Sequence, residues 1–458
     1  MKKNDIVELK IESITNLGFG VGRHGGVVVF VSGAVTGDEI VAKIIKTAPS
    51  YAVGRVEKFI EKSAIRESGR CSNSACTSCA YKCISYEYEK ELKLLDVKSA
   101  FTKAGLADVT VAELIPSPRV SAYRNKAQYP ISRDKDGRYV IGFFAPKSHR
   151  VTEARDCPLA PPVFAEILNI LADFFAEHDI SVYDEKSGAG LLRHVYLRRG
   201  EVSGEILLTL VINGTSLPYE KELADIMTKH FGDIVGILIN ENTKDTNVIL
   251  GEKFKTLYGR DYLYDTLAGV RLKISAPAFY QVNHDAAELL YKKARELARI
   301  GKDDVLLDLY CGAGSIGLSM ADKAKEIIGI EIIDSAVLCA RENAKDNGIS
   351  NAKFYTGDAK NTESLLDNAE RELGRKIEPT VIVLDPPRAG CDEKLINYVA
   401  NLSPKRIVYV SCNPTTLARD CALFTSLGFD IGEVTAVDLF PLTGHVESVV
   451  RLERPTRQ

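Results

Sequence analysis

The chain has 458 residues, 45% of them hydrophobic and 26% charged, and 59 Lys+Arg against 62 Asp+Glu leave a formal net charge of −3. Such a chain can fold as about two to four domains with cores of their own, which excludes whole-chain disorder, a collagen-like fibre and a small disulfide scaffold. The opening Met1-Lys2-Lys3-Asn4-Asp5 lacks a signal-peptide core, and the longest apolar runs fall far short of the roughly 20 residues of a membrane span, so a cytoplasmic protein without membrane contact is expected.

In chain order, residues 6–11, 26–31, 39–45 and 52–59 alternate or run apolar between glycine turns, which predicts a small five-stranded barrel over 1–60 of the kind that holds oligonucleotides. Ile14-Thr15-Asn16-Leu17-Gly18-Phe19-Gly20-Val21-Gly22-Arg23, with Val28-Val29-Phe30-Val31, resembles the TRAM domain, an RNA-binding barrel found on RNA-modifying enzymes. Leu92, Leu95, Val97 and Phe101, set among Glu and Lys, predict an amphipathic helix over 85–104. Strands at 139–144, 191–198, 205–212 and 236–240 and a helix at 162–178 make 61–262 a central α+β domain. Between Arg119 and Asp156, nine Lys+Arg against four Asp+Glu accompany Tyr123, Tyr129, Tyr139, Phe143 and Phe144. Cations mixed with aromatic platforms suit single-stranded RNA, although a solvated strand face over core aromatics gives the same pattern. From about Leu263 strands alternate with helices (helix 285–299, strand 305–309, a helix from 316, strand 327–331, helix 335–347), which predicts a Rossmann-like parallel sheet covered on both faces over 263–458.

The chemistry-bearing residues fall at strand ends of that last region. Asp308-Leu309-Tyr310-Cys311-Gly312-Ala313-Gly314-Ser315-Ile316-Gly317 places a glycine turn between a buried strand and a helix, where a ligand can approach the backbone. Glu331, nineteen residues after Gly312, ends the next strand and can accept from both ribose hydroxyls of a nucleoside cofactor, and Asp358 follows a third strand in reach of an adenine amino group. These features fit NAD and S-adenosylmethionine equally. Downstream, one strand ends in Asp385-Pro386-Pro387-Arg388 and another in Ser411-Cys412-Asn413-Pro414, which makes Cys412 a candidate nucleophile, although an isolated cysteine is more often packing. Cys71, Cys76 and Cys79, spaced C-x4-C-x2-C, and Cys157 beside Pro158 form a second constellation suited to zinc or an iron–sulfur cluster. The remaining Cys311, Cys339, Cys391 and Cys421 read as packing.

Taken in order, the TRAM-like start, the cysteine cluster, Phe279-Tyr280-Gln281-Val282-Asn283, the glycine loop, Asp385-Pro386-Pro387-Arg388, Ser411-Cys412-Asn413-Pro414 and Gly444-His445-Val446-Glu447-Ser448 resemble the RNA uracil-C5-methyltransferase family over nearly the whole chain. The resemblance implies that Gln281, Tyr310, Glu331 and Asp385 contact S-adenosylmethionine, that Cys412 is the nucleophile and that Glu447 is the general base. It also implies a [4Fe–4S] cluster on Cys71, Cys76, Cys79 and Cys157. Family members commonly space the first two cluster ligands by five residues and carry histidine where this chain has Cys83, so Cys83 is a further candidate ligand. A polar loop beside a cationic sulfonium is expected to keep Cys412 partly thiolate. The barrel and cysteine cluster together resemble the branch acting on 23S ribosomal RNA more than the transfer-RNA branch, and a monomer suffices for the chemistry. An adenine amino-methyltransferase, a cytosine-C5 methyltransferase and a non-catalytic RNA-binding protein are the competing readings.

Overall fold

The computed structural model describes residues 1–73, 75–145 and 148–455, so Lys147 of the basic stretch lies outside the described residues. The strands Ile6–Ile14, Phe19–His24, Val27–Ser32, Tyr51–Glu61 and Glu39–Thr47 close into a barrel, neighbours in that order. Alternation builds it: Val7, Leu9, Ile11, Val29, Val31, Ile40 and Ile44 all point into one core. Closure leaves no unpaired edge on so short a sheet. The strand Phe19–His24, absent from the predicted set, is hidden in the sequence by its glycines, which break the apolar run.

A seven-stranded sheet follows, ordered Lys253–Gly259, Ile234–Glu241, Ile206–Ile212, Leu192–Arg199, Lys126–Arg133, Tyr139–Phe144 and Val151–Glu153. The helices Pro162–Glu177 and Glu220–His230 bury Phe164, Leu168, Leu171, Phe175, Leu223 and Met227 against it. Sequence patterning omits Lys126–Arg133 and the two outer strands, of which Val151–Glu153 is only three residues long and Lys253–Gly259 is largely exposed.

The third sheet runs Ala352–Thr356, Glu326–Glu331, Val305–Leu309, Val381–Leu384, Arg406–Ser411, Glu447–Glu453 and Asp430–Ile431, with Thr435–Val437 also paired to Glu447–Glu453. The first five are mutually parallel, and all but the edge strand Ala352–Thr356 are almost fully buried, as a sheet covered on both faces requires. Order reverses beside Val305–Leu309, so the carboxyl ends there open into a crevice. The strand Glu447–Glu453 is antiparallel and inserts beside Arg406–Ser411, with Ser448 facing Ser411. Its amino end therefore lies at the same edge as the carboxyl ends of the others.

The helix Tyr86–Lys103 differs from expectation in its partners. It falls within the 61–262 stretch, yet Val97 and Phe101 join Leu417, Phe424 and Val450 in the core of the third sheet, and Leu92 reaches the other way toward Ile14, Val35 and Ile84. Leu95, one of the residues that predicted the helix, is 58% exposed, while Lys93 and Glu89 are wholly buried. The helix packs on two sides at once, so a single apolar stripe does not describe it. Ser85 caps its start by accepting from Tyr88 N at 3.3 Å.

Barrel and third sheet meet at Gly444: a Cβ there would stand 2.0 Å from the carbonyl oxygen of Asn16, a backbone atom with no freedom to step aside. Gly444→Ala is expected to cost about 1–3 kcal/mol as an overpacking substitution. The change is read as a lowered Tm and faster proteolysis between barrel and remainder; an unchanged Tm would show that this contact yields.

Candidate active site

Five strand ends and one strand start deliver side chains to a single cavity of about 1350 Å³, whose walls include Gln281, Tyr310, Glu331, Asp358, Asp385, Cys412 and Glu447. The structure thus brings all seven residues singled out around the glycine loop, the later strand ends and the final strand into one cleft. The turn after Val305–Leu309 bends sharply, with Tyr310 in the left-handed region at φ 65°. Gly317 packs so tightly that a Cβ would stand 2.7 Å from Asp308 Oδ2, which accepts from the Gly317 N–H at 3.0 Å. Asp308 anchors the turn from beneath. Glu331 accepts from Gly312 N at 3.1 Å and Ile333 N at 3.0 Å, which fixes its carboxylate at the rim with lone pairs left for a diol. Ile332 and Ile333, 60% and 56% exposed, give that end of the cleft an apolar lip suited to a purine face. Asp358 accepts from Lys360 N at 3.0 Å and caps the short turn after its strand.

At the other end Asn413 caps the helix Pro414–Ser426 by accepting from Thr415 N at 3.1 Å, and donates to Arg388 O at 3.0 Å. Thr416 Oγ1 donates to the same carbonyl at 3.3 Å. The loops carrying Cys412 and Asp385 are thereby tied together. Arg388 Nη2 lies 3.4 Å from His445 Nε2, which brings the loop before Glu447 into the same group. On the facing wall Asn125 donates to Gln281 O at 2.9 Å, and Arg124 and Lys126 line the cleft.

Burial governs the electrostatics. It pushes Asp308 and Asp385 up to about 7, and lifts Glu447, helped by the charge of Asp385 and opposed by Arg388, to about 8. The Cys412 thiol is also raised, by burial and then by Glu447 and Asp385, with Arg388 pulling down. The expected partly ionised thiol is therefore not a property of the cleft by itself, because its neighbours are carboxylates and a single guanidinium does not outweigh them. A cation entering beside Asp385 and Glu447 would reverse the balance. Sequence reading passed over several cleft residues. Phe279, 71% exposed at the mouth, was visible only as part of a motif, and Lys126, which burial and nearby Arg198 and Arg124 lower to about 8, was one cation among many.

The second constellation lies away from the cleft. Cys79 and Cys157 pack against Tyr123, Leu159 and Leu442. The Cys79 thiol is pushed up to about 12 by burial and then by the proximity of Cys157, Cys76 and Cys71, so the four cysteines share one neighbourhood. Cys83 sits elsewhere, among Ile14, Val35, Tyr81 and Ile84. Among the described residues, no three or more His, Cys, Asp or Glu side chains are arranged to hold a single metal ion. None of the described helices is long and apolar enough to cross a membrane.

A parallel sheet with a late antiparallel insertion, a glycine turn after its first strand and an acid at the end of its second defines the fold of S-adenosylmethionine-dependent methyltransferases, here joined to a barrel. The model of the tRNA (Uracil-5-)-methyltransferase family matches residues 87–455, and that of the TRAM domain matches residues 2–56. The chain belongs to this family of RNA uracil-5-methyltransferases. It is 37% identical over 455 residues to an uncharacterized RNA methyltransferase of Halalkalibacterium halodurans, covering 99% of this chain and 98% of that one. A Clostridium acetobutylicum protein described in the same words is 38% identical over 462 residues, with the same coverage. Among solved structures, the Pyrococcus abyssi tRNA (uracil-54, C5)-methyltransferase in complex with S-adenosyl-L-homocysteine is similar with a TM-score of 0.77 and 27% identity, over 97% of this chain and 100% of that one.

Because Glu447 is the first carboxylate to raise the Cys412 thiol, Glu447→Gln should lower its titration midpoint and speed alkylation of Cys412 by iodoacetamide at pH 9 by ~3–10-fold. Mass-spectrometric rates at Cys412 decide this; equal rates would mean the two groups do not sense each other.

Proposed function

We propose that the protein transfers a methyl group from S-adenosylmethionine to C5 of uracil in RNA through a covalent adduct at Cys412. The observation that carries this reading is the meeting of Cys412, Asp385 and Glu447 in one cleft with the residues suited to a nucleoside. Glu331 suits the ribose hydroxyls, Asp358 and the Ile332–Ile333 lip suit the adenine, and Gln281, Tyr310 and Asp385 border the remainder. S-adenosylmethionine would supply the methyl group on a cationic sulfonium, and the carboxylates of the cleft fit that charge.

The Cys412 thiolate adds to C6 of uracil, forming the C6–S bond and moving the C5–C6 electron pair toward O4 as an enolate. C5, now electron-rich, takes the methyl group and the sulfonium leaves as a neutral thioether. Glu447 then removes the C5 proton, the C5=C6 double bond returns and the C6–S bond breaks, freeing the thiolate. Carboxylates held near 7 and 8 suit proton transfer near neutral pH, and each is more readily ionised once the sulfonium is beside it. Cys412 and Glu447 act in succession on opposite ends of one double bond, which is why they must share a strand edge.

RNA as partner is supported by the barrel and by the basic wall of the cleft. Lys126 lies directly opposite Arg198 on adjacent antiparallel strands, and Arg198, 1% exposed, has no carboxylate partner among the described residues. Arg198 donates to the carbonyls of Ala276 and Ala278, so the cations that face the cleft are Lys126 and Arg124, where a backbone phosphate could pair with them. A target base must leave its stack to reach Cys412. The preference for 23S ribosomal RNA rests on the barrel together with the cysteine cluster, while the Pyrococcus neighbour, a transfer-RNA enzyme, favours the other branch. One copy of the chain carries every residue this scheme uses.

Mapping 5-methyluridine in 23S ribosomal RNA and transfer RNA from cells with and without the gene tests substrate and chemistry together. Loss from 23S uridines supports the ribosomal branch, loss from transfer RNA alone selects the other, and no loss overturns the reading. Cys412→Ala should abolish methyl transfer, by at least ~10⁴-fold, while RNA binding persists; retained transfer would sink the covalent route.

The shared neighbourhood of Cys71, Cys76, Cys79 and Cys157 also suits a [4Fe–4S] cluster, whose cubane spaces its thiolates farther apart than one metal ion does. Its role would be to shape the 71–83 loop, since methyl transfer moves no electron to the protein. Anaerobically purified protein should contain iron and acid-labile sulfide; stoichiometric zinc without iron would replace the cluster by a zinc site.

A further inference from the structure

The loop that carries His445 and Glu447 into the cleft is held from behind by charges that touch neither substrate nor cleft. Lys93, Glu89 and Asp438 are all wholly buried. Lys93 Nζ donates to Glu89 Oε1 at 2.8 Å, to Asp438 Oδ1 at 2.7 Å and to Phe440 O at 3.0 Å. Asp438 Oδ1 accepts from Phe440 N at 3.0 Å, and its other oxygen accepts from the Tyr86 hydroxyl at 2.9 Å. Glu89 Oε1 accepts from Leu442 N at 2.7 Å while Arg70 donates to Oε2 at 3.0 Å. Two cations and two carboxylates thus close a neutral set.

That set holds Phe440 by both its N–H and its carbonyl and Leu442 by its N–H, and neighbouring residues hold the units around them. Asn283 donates to Leu439 O at 3.0 Å, the Tyr123 hydroxyl to Pro441 O at 2.9 Å and Tyr81 N to Leu442 O at 2.9 Å. Leu442 is pinned in the left-handed region at φ 72°, which a leucine adopts only under constraint. The Phe440 carbonyl that Lys93 holds also accepts from Thr443 Oγ1 at 2.7 Å, and Thr443 Oγ1 in turn accepts from His445 N at 3.3 Å. A short chain of bonds therefore runs from Lys93 to the residue beside Arg388, two positions before Glu447.

Buried ion pairs are poor sources of stability, because desolvation offsets their attraction and apolar replacements often serve as well. A fully buried lysine is rare for the same reason. What the arrangement does supply is a fixed position for the backbone at Phe440 and Leu442, on either side of Pro441. We propose that Lys93, with Glu89 and Asp438, is a positioning residue for the proton-removal step: it sets the 438–443 turn and through it the placement of Glu447 against Cys412. The inference rests on the reading of Glu447 as base and predicts which step fails. Without the base correctly placed, addition and methylation proceed but the C5 proton stays, so the C6–S bond does not break.

The test compares Lys93→Met, Asp438→Asn and Glu447→Gln in the full chain, with RNA and S-adenosylmethionine carrying a labelled methyl group. Lys93→Met and Asp438→Asn should each lower kcat by about 10- to 100-fold with little change in KM for RNA. Both should accumulate labelled, methylated RNA attached to Cys412 in a species that survives denaturing electrophoresis, the outcome expected for Glu447→Gln as well. A purely structural role would reduce the active fraction without building that adduct. Should Lys93→Met fail to fold, Asp438→Asn, which keeps the size of the side chain and one of its two acceptor oxygens, carries the comparison. Wild-type turnover, or lost turnover without adduct, in the folded variants while Glu447→Gln builds it overturns the inference. No adduct and full turnover in Glu447→Gln overturns the reading of the base instead.

Discussion

The crowding of carboxyl groups into a poorly solvated crevice is the condition on which the rest of this structure depends. Asp308, Asp385 and Glu447 are brought to one end of a sheet whose strands are buried on both faces, and the low dielectric there holds all three carboxyls well above their ordinary range. Cys412 is raised by burial and then by Glu447 and Asp385. On the proposed mechanism such a cleft is quiet when empty, since Cys412 and Glu447 keep their protons near neutral pH. A cationic methyl donor entering beside them would both fit the site and favour ionisation of the groups assigned to use it.

The sheet makes that crowding possible. Parallel strands alone would bring Tyr310, Glu331, Asp358, Asp385 and Cys412 to one edge, but the antiparallel strand Glu447–Glu453 is needed to set an acid that is late in the chain next to a thiol thirty-five residues earlier, as the pairing of Ser411 with Ser448 shows. The cost of inserting it is a tight bend at 438–446, and that bend is what the buried charges of the first helix grip.

Much of this was legible in the sequence, for definite reasons. Strand ends in an α/β sheet are marked by runs of Val, Ile and Leu followed abruptly by polar residues, so the positions of Glu331, Asp385 and Cys412 could be read directly. Glu447 was not marked by any pattern of its own and emerged only from its motif. Lys93 carries no signal of its own in the sequence, because Glu89 and Lys93 at i, i+4 look like an ordinary solvated pair. Their burial is a tertiary fact: two bodies close over the helix from opposite sides. For the same reason the sequence could group Cys71, Cys76 and Cys79 but not separate Cys83, which differs from them only in which apolar cluster it faces.

The contact between Gly444 and Asn16 joins the amino-terminal barrel to the bend that precedes Glu447, while the strand that bend feeds lies between Arg406–Ser411 and the short edge strand Asp430–Ile431. During synthesis the barrel, the seven-stranded sheet and most of the parallel strands can each settle in turn. The edge of the cleft cannot: it lacks Glu447, and the barrel lacks its contact with the third sheet, until Glu447–Glu453 has emerged and slid into place. On the proposed mechanism the chain therefore gains its base last, with the final strand of the sheet.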